Sequence, residues 1–160
     1  MRVRVLFWSL GIIVAGIVVA IVVLMILALW SRRAQAPRSA PLSNRLPDCP
    51  ATPNCVCSQA TREAQFIRPF DFRGDADSSL QKMLDVLEDN PAAQVVTREK
   101  RYLHVEFRSP TFGFTDDVEF LIDDTARVIQ VRSASRIGYS DRGANRRRIE
   151  NLRELYEAAP

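Results

Sequence analysis

The first 47 residues contain no acidic side chain, because Asp48 is the first carboxylate of the chain. This leader carries six arginines and a charge of +6, whereas the other residues carry 16 basic and 19 acidic side chains and sum to −3. The basic pI near 9.0 therefore arises from arginines that flank an apolar segment. A nucleic-acid-binding domain would carry its basic residues on the folded part of the chain, so we exclude nucleic acid as a partner.

Most motifs of catalytic chemistry are also missing. The chain has one histidine, His104, and no Gly-x-Ser-x-Gly sequence, which argues against a serine hydrolase. It has no glycine-rich phosphate loop and no paired metal-ligand motif, so we expect no cofactor and no metal. His104 alternates with Leu103 and Val105, and this spacing predicts a solvated histidine on the polar face of a strand.

Residues 5–30 are free of charge over 26 positions. At about 1.5 Å per residue, a helix of this length exceeds the hydrocarbon core of about 30 Å. We predict a short tail at residues 1–4, a transmembrane helix at residues 5–30 and a flexible linker at residues 31–46. The alternative is a cleavable signal peptide, since Ala34-Gln35-Ala36 has the small-x-small form of a cleavage site.

The positive charges on the two sides of the apolar run are nearly equal in number, so they give only a weak indication of the orientation in the membrane. Two arginines and the terminal amine precede the apolar run and four arginines follow it, which slightly favours a cytoplasmic domain. Small residues are spaced four apart from Gly11 to Ala15 and from Gly16 to Ala20. Such spacing lets two membrane helices approach closely, so a homodimer through this helix is one possible assembly.

The three cysteines, Cys49, Cys55 and Cys57, lie within nine residues. In an oxidising compartment Cys49 and Cys55 could close a small loop, which would contribute about 2 kcal/mol, and Cys57 would be spare. In the cytosol the same residues would be reduced thiols. A zinc site needs four ligands in paired spacings, so we expect no metal here.

Residues 47–160 are predicted to form one small α+β domain. Apolar residues at helical spacing predict a helix from Ser78, with Ser78 and Gln81 as a capping box and Pro91 after its end, and a second helix at residues 140–157. Alternation predicts strands at residues 65–70, 94–98, 102–108, 117–122 and 127–135. Short turns join the last four strands, so we expect an antiparallel sheet of four to five strands with two helices on one face.

Three carboxylates enter the strand that begins near residue 117: Asp116, Asp117 and Glu119. Adjacent acids raise one another's pKa and can act as general acid and base. The alternative interpretation is that Asp116 and Asp117 only end a loop.

A second polar segment runs from residue 132 to residue 150. Spacing brings five of its residues to core-adjacent positions: Ser133, Ser135, Arg136, Asn145 and Arg148. They could form a buried network in which the three carboxylates pair with Arg136 or Arg148, or an anion pocket at a helix N-terminus. Asp141, the expected N-cap, would repel an anion there.

Three strings of this sequence carry a resemblance: Cys49-Pro-x-x-Pro-Asn-Cys55-Val, Asp116-Asp-Val-Glu-Phe, and Arg132-Ser-x-Ser-Arg-x-Gly-x-Ser-Asp-x-Gly-x-Asn-Arg-x-Arg-Ile-Glu150. Together they resemble the family catalogued as domain of unknown function 1499, over about residues 47–157. The resemblance implies export or membrane attachment and favours a periplasmic domain. Cys57 stands where the family has a small hydroxyl residue, so the resemblance implies no thiol chemistry.

We therefore expect a single-pass inner-membrane protein whose periplasmic domain binds a small anionic ligand or an envelope partner without catalysis. The alternative is a small enzyme that uses Asp116, Asp117 or Glu119 as acid or base and Arg136 and Arg148 to hold an anionic substrate. A third possibility is a cytoplasmic domain with reduced cysteines.

Overall fold

A computed structural model describes residues 2–34 and 45–159. Its helices are α1 (Arg2–Arg33), α2 (Ala76–Glu88) and α3 (Ala144–Ala158). Its strands are β1 (Cys55–Cys57), β2 (Phe70–Asp71), β3 (Ala93–Glu99), β4 (Tyr102–Arg108), β5 (Thr115–Asp123) and β6 (Val128–Ser135). This is the predicted α+β architecture, an apolar helix followed by an antiparallel sheet and two helices.

Helix α1 is almost wholly apolar between the arginines at its two ends, and most of its described side chains are exposed. Its stretch Leu10–Arg33, 24 residues long, is long and apolar enough to cross a membrane. The helix takes in residues 2–4 and 31–33, which we had assigned to the tail and to the linker. Most of the predicted linker, residues 35–44, lies outside the described residues.

The sheet has the strand order β1-β6-β5-β4-β3, and β2 also pairs with β6 beyond the end of β1. All these pairings are antiparallel. Helices α2 and α3 cover one face, which we call the helix face. The predicted stripe of α2 is buried there against alternate residues of the central strands, including Leu103, Val105, Val118 and Phe120.

The first strand of the domain was predicted in the wrong place. Gln65 lies in a short 3-10 helix, Glu63–Gln65, and of residues 65–70 only Phe70 enters a strand. Gln65 is held there because its side-chain amide donates to the carbonyl oxygens of Pro50 and Thr52. Strand β1, Cys55–Cys57, was not predicted.

The two helix starts also differ from the sequence expectation. Helix α2 begins at Ala76, and the carboxylate of Asp75 accepts a hydrogen bond of 2.7 Å from the Ser78 amide, so Asp75 rather than Ser78 is the cap. Helix α3 begins at Ala144 and not near residue 140. Its N-cap is Gly143, so the prediction of Asp141 as the N-cap is wrong by two residues. The Asp141 carboxylate nevertheless accepts from the amides of Gly143 and Asn145.

Candidate functional site

The face of the sheet opposite α2 and α3 carries buried polar side chains, and we call it the polar face. Strand alternation places the side chains of one parity there, because successive residues of a strand point to opposite sides. Its members come from three neighbouring strands and the turn after β6: Tyr102, His104, Glu106, Asp117, Glu119, Arg132 and Arg136.

His104 lies at the centre of the polar face and is fully buried, with 0% of its surface exposed. The prediction of a solvated histidine is therefore wrong, although the predicted face is right. Its Nε2 donates to the Asp117 carboxylate over 2.7 Å. Within the described part of the chain its Nδ1 has no hydrogen-bond partner.

Arg136 joins two carboxylates of the polar face. Its Nε donates to Asp117 Oδ2 over 2.8 Å and its Nη2 donates to Asp117 Oδ1 over 2.7 Å, a two-pronged contact. Its Nη2 also donates to Glu106 Oε1 over 2.6 Å. Burial would raise the pKa of Asp117, but the bonds from Arg136 and His104 outweigh burial and lower that pKa.

A second pair of contacts surrounds Glu119, which is 1% exposed. The Tyr102 hydroxyl donates to Glu119 Oε1 over 2.9 Å, and Arg132 Nη1 donates to Oε2 over 2.8 Å. Burial and the neighbouring carboxylate raise the pKa of Tyr102, so its hydroxyl stays protonated. Glu119 is thus paired with Arg132 and held in place by Tyr102.

The other predicted residues lie on the helix face, at the start of α3. Asn145 is fully buried and accepts from the Ser133 hydroxyl and from Arg148 Nη1, both at 2.6 Å. Its amide donates to the Asn54 carbonyl and to the Ser135 hydroxyl. Arg148 also forms an ion pair with Asp116. This network fastens α3 to the end of the sheet.

The predicted site residues therefore divide between two faces and do not form one pocket. Asp117, Glu119 and Arg136 belong to the polar face, and Asp116, Ser133, Ser135, Asn145 and Arg148 belong to the helix face. Strand β5 separates the two groups because Asp116 and Asp117 are adjacent in it and point to opposite sides. Each of the three carboxylates has an arginine partner.

Residues 46–57, which we call the disulfide segment, pack over one end of the polar face. Cys49 and Cys55 form a disulfide with 5.7 Å between their Cα atoms, as the sequence predicted. Cys57 is a free, buried thiol whose pKa is raised by burial. Leu46 and Cys57 pack against Tyr102 and Leu121.

A protein-family model described as "Protein of unknown function (DUF1499)" matches residues 45–155. The chain belongs to the DUF1499 family. No curated protein matches it. The matched residues begin just before the disulfide segment and end within α3, so they contain both polar networks and leave α1 outside.

Sequence reasoning missed four members of the polar face of the DUF1499 domain: Tyr102, His104, Glu106 and Arg132. The signal was present, since polar residues recur at every second position of β4, and His104 and Glu106 lie opposite Glu119 and Asp117 of β5. From the alternation in β4 we predicted only that His104 is solvated. The described residues contain no cluster of three His, Cys, Asp or Glu side chains placed to hold a metal.

Proposed function

We propose that this chain is a single-pass inner-membrane protein whose DUF1499 domain lies on the periplasmic side and binds an envelope partner or ligand at the membrane surface without catalysis. The observation that supports binding without catalysis is that the candidate acids are paired with arginines. The membrane anchor is supported by the exposed apolar helix α1 and by the contacts between its end and the domain.

Catalysis by the predicted acids would need a carboxylate free to take a proton from a substrate. Asp116, Asp117 and Glu119 each hold a guanidinium group instead. His104 and Asp117 form an arrangement that could orient a general base, but His104 has no exposed surface through which a substrate could reach it. The pairing therefore favours a structural role for these residues over the alternative of a small enzyme.

The same contacts disfavour the predicted anion pocket. The Nε and Nη2 groups of Arg136 already donate to Asp117 and Glu106, and Arg148 is paired with Asp116. An incoming anion would have to displace a carboxylate that is already desolvated and in good geometry. A ligand or partner is therefore better sought elsewhere on the domain.

The end of α1 contacts the domain directly. The buried Ser31 hydroxyl accepts from the Thr115 amide over 3.0 Å and donates to the Thr115 carbonyl, and Arg136 Nη1 donates to the carbonyl oxygens of Ser31 and Arg32. A helix that spans a membrane would thus hold the domain close to the surface in one orientation. Among the described residues, no atom lies within 4 Å of the position that a side chain would take at Gly11 or Gly16, which leaves the predicted dimer contact available.

The disulfide favours an oxidising compartment. The expected topology is tested by fusing reporters after Pro160. Alkaline phosphatase, which is active only after export, should be active in this fusion, and a cytoplasmic fluorescent protein should be dark. The matched control is the same phosphatase fused to residues 45–160 alone, which should be inactive because α1 is missing.

The reverse reporter pattern would contradict the periplasmic assignment. Anchoring is tested separately by alkaline carbonate washing of membranes, which should leave the full-length chain in the pellet. Release of a shortened chain beginning after Ala36 would identify residues 1–36 as a cleaved signal peptide and overturn the anchor.

A further inference from the structure

We propose that a groove between α1 and the β4–β5 loop binds a phospholipid with an anionic headgroup. This inference rests on the anchored topology proposed above and names the ligand class that the membrane-facing side of the domain would take. The groove has a volume of about 490 Å³ and lies between one side of α1 and residues 108–113.

The depth of the groove decides which molecule can fill it. Met25 and Leu29 line it and belong to the segment Leu10–Arg33 that is long enough to span a membrane. They lie eight and four residues before Arg33, which at the helical rise places them about 12 and 6 Å deeper than that residue. At this depth the surrounding medium is lipid, so the occupant is a lipid and not a soluble ligand.

The rim of the groove is basic. Arg32 and Arg108 both line it, and Arg32 has no acidic partner among the described residues. Arg108 is only 3.4 Å from a Glu106 oxygen, is 48% exposed, and shares that carboxylate with Arg136, which holds the other oxygen. Two incompletely neutralised guanidinium groups above an apolar wall match a phosphate headgroup and its acyl chains.

The loop side of the groove is preformed. The Ser109 amide donates to the Phe114 carbonyl over 2.9 Å, the Phe114 amide donates to the Ser109 hydroxyl over 3.0 Å, and the Gly113 amide donates to the Ser109 carbonyl over 3.0 Å. Gly113 has a φ of 69°, and a side chain there would overlap the Arg32 guanidinium. Arg32 Nε donates to the Gly113 carbonyl, which holds this arginine at the rim.

Phe112 supplies an apolar side chain at the open edge of the groove. It is 37% exposed and its ring lies 6.2 Å from that of Phe114, where it would contact acyl chains. Exposed apolar side chains beside basic residues are typical of surfaces that enter a membrane interface. The groove therefore offers phosphate contacts at its rim and acyl contacts along its length.

The test uses the full-length protein in nanodiscs that contain equal amounts of phosphatidylglycerol and phosphatidylcholine, followed by native mass spectrometry of the lipid that remains bound. The expected result is retained phosphatidylglycerol. The double variant Arg32→Gln/Arg108→Gln should lose it by about tenfold or more, because a charge-assisted hydrogen bond contributes at least a factor of that size. The control Arg142→Gln, an exposed arginine outside the groove, should retain it.

Equal retention of both lipids, or retention that is the same in the double variant, would overturn the proposal. A melting-temperature rise with inorganic phosphate in purely phosphatidylcholine nanodiscs, equal to the rise with phosphatidylglycerol, would show a free phosphate site and would also overturn it. Phe112→Ser tests the acyl side independently and should weaken lipid retention with both arginines intact. Loss of lipid binding in a chain that still passes the topology and carbonate tests refutes only the groove, whereas failure of those tests refutes the anchor.

Discussion

Arg136 is the residue whose removal should destabilise the polar face most. Its side chain is 3% exposed and it neutralises both Asp117 and Glu106. Arg136→Ala would leave two carboxylates in a buried site without their main counter-charge, so we expect a loss of about 3 to 5 kcal/mol in the free energy of unfolding. Urea unfolding of the full-length protein in detergent, followed by near-ultraviolet circular dichroism, measures the change.

The matched control for this substitution is Arg142→Ala. Arg142 is exposed and forms no ion pair among the described residues, so its loss should cost less than about 1 kcal/mol. Equal, small effects of the two substitutions would show that Arg136 is not paired in a buried site. A stabilising effect of Arg136→Ala would point instead to an open site crowded with positive charge.

Asp117 should make the stability of the domain depend on acid pH. Its pKa in the folded protein lies below the usual value of about 3.9, because Arg136 and His104 outweigh the effect of burial. A carboxyl group with a lowered folded pKa stabilises fully above its unfolded pKa, and that stabilisation is lost as the pH falls through the folded pKa.

Asp117→Asn should therefore be less stable at neutral pH and less sensitive to acid below about pH 4. The slope of unfolding free energy against pH should decrease by up to about 1.4 kcal/mol per pH unit, the contribution of one proton. The control is Asp77→Asn, which removes a carboxylate from an exposed position of α2. If the unfolding free energies of the parent and of Asp117→Asn fall in parallel as the pH is lowered, Asp117 does not have a lowered pKa in the folded protein.

Among the secondary-structure elements, sequence periodicity predicted those whose own side chains form the core. The stripe of α2 and the alternation of β4, β5 and β6 mark burial directly, so these elements were predicted to within a few residues. Strand β1 has only three residues and forms because it pairs with the edge of β6. This pairing depends on the tertiary fold, so the local sequence of β1 hardly indicates a strand. The Gln65 segment alternates like a strand but is fixed by side-chain bonds to distant backbone.

The sequence predicted which residue types would pair in the candidate site, but it did not predict which of those residues share a face of the sheet. The pairing of carboxylates with Arg136 and Arg148 was expected because buried charges need partners. Alternation also assigns each residue of β5 to a face, yet we combined Asp116 and Asp117 into one site. The burial of His104 could not be predicted from the sequence, because alternation indicates which face of the sheet a residue occupies and not whether that face is covered.

The disulfide segment gives a prediction at the scale of one element. Native, non-reduced protein should react slowly with iodoacetamide, because Cys57 is 2% exposed and its raised pKa lowers the thiolate fraction. Unfolding without reduction should expose one reactive thiol, and reduction should expose three. Mass spectrometry counts the labels, and three labels without reduction would contradict the Cys49–Cys55 bond.

At the scale of the whole molecule, the domain uses the two faces of its sheet differently. The helix face buries the apolar core, and the polar face carries ion pairs that reach the end of α1 through Arg136. The polar face is therefore linked to the attachment of the domain to its helix. Ser31 provides the closest contact, since its hydroxyl bonds both backbone groups of Thr115.

Ser31→Ala should loosen this attachment and leave the sheet intact. The Thr115 amide, 1% exposed at the residue level, would lose its partner, and an unpaired buried amide costs about 1 to 3 kcal/mol. Hydrogen exchange of the full-length protein should therefore become about tenfold faster, or more, at the start of β5, while exchange in β6 stays unchanged. Ser140→Ala, at an exposed serine, should alter neither. Unchanged protection at Thr115 in Ser31→Ala would show that α1 does not dock on the domain, and the orientation of the lipid groove would lose its support.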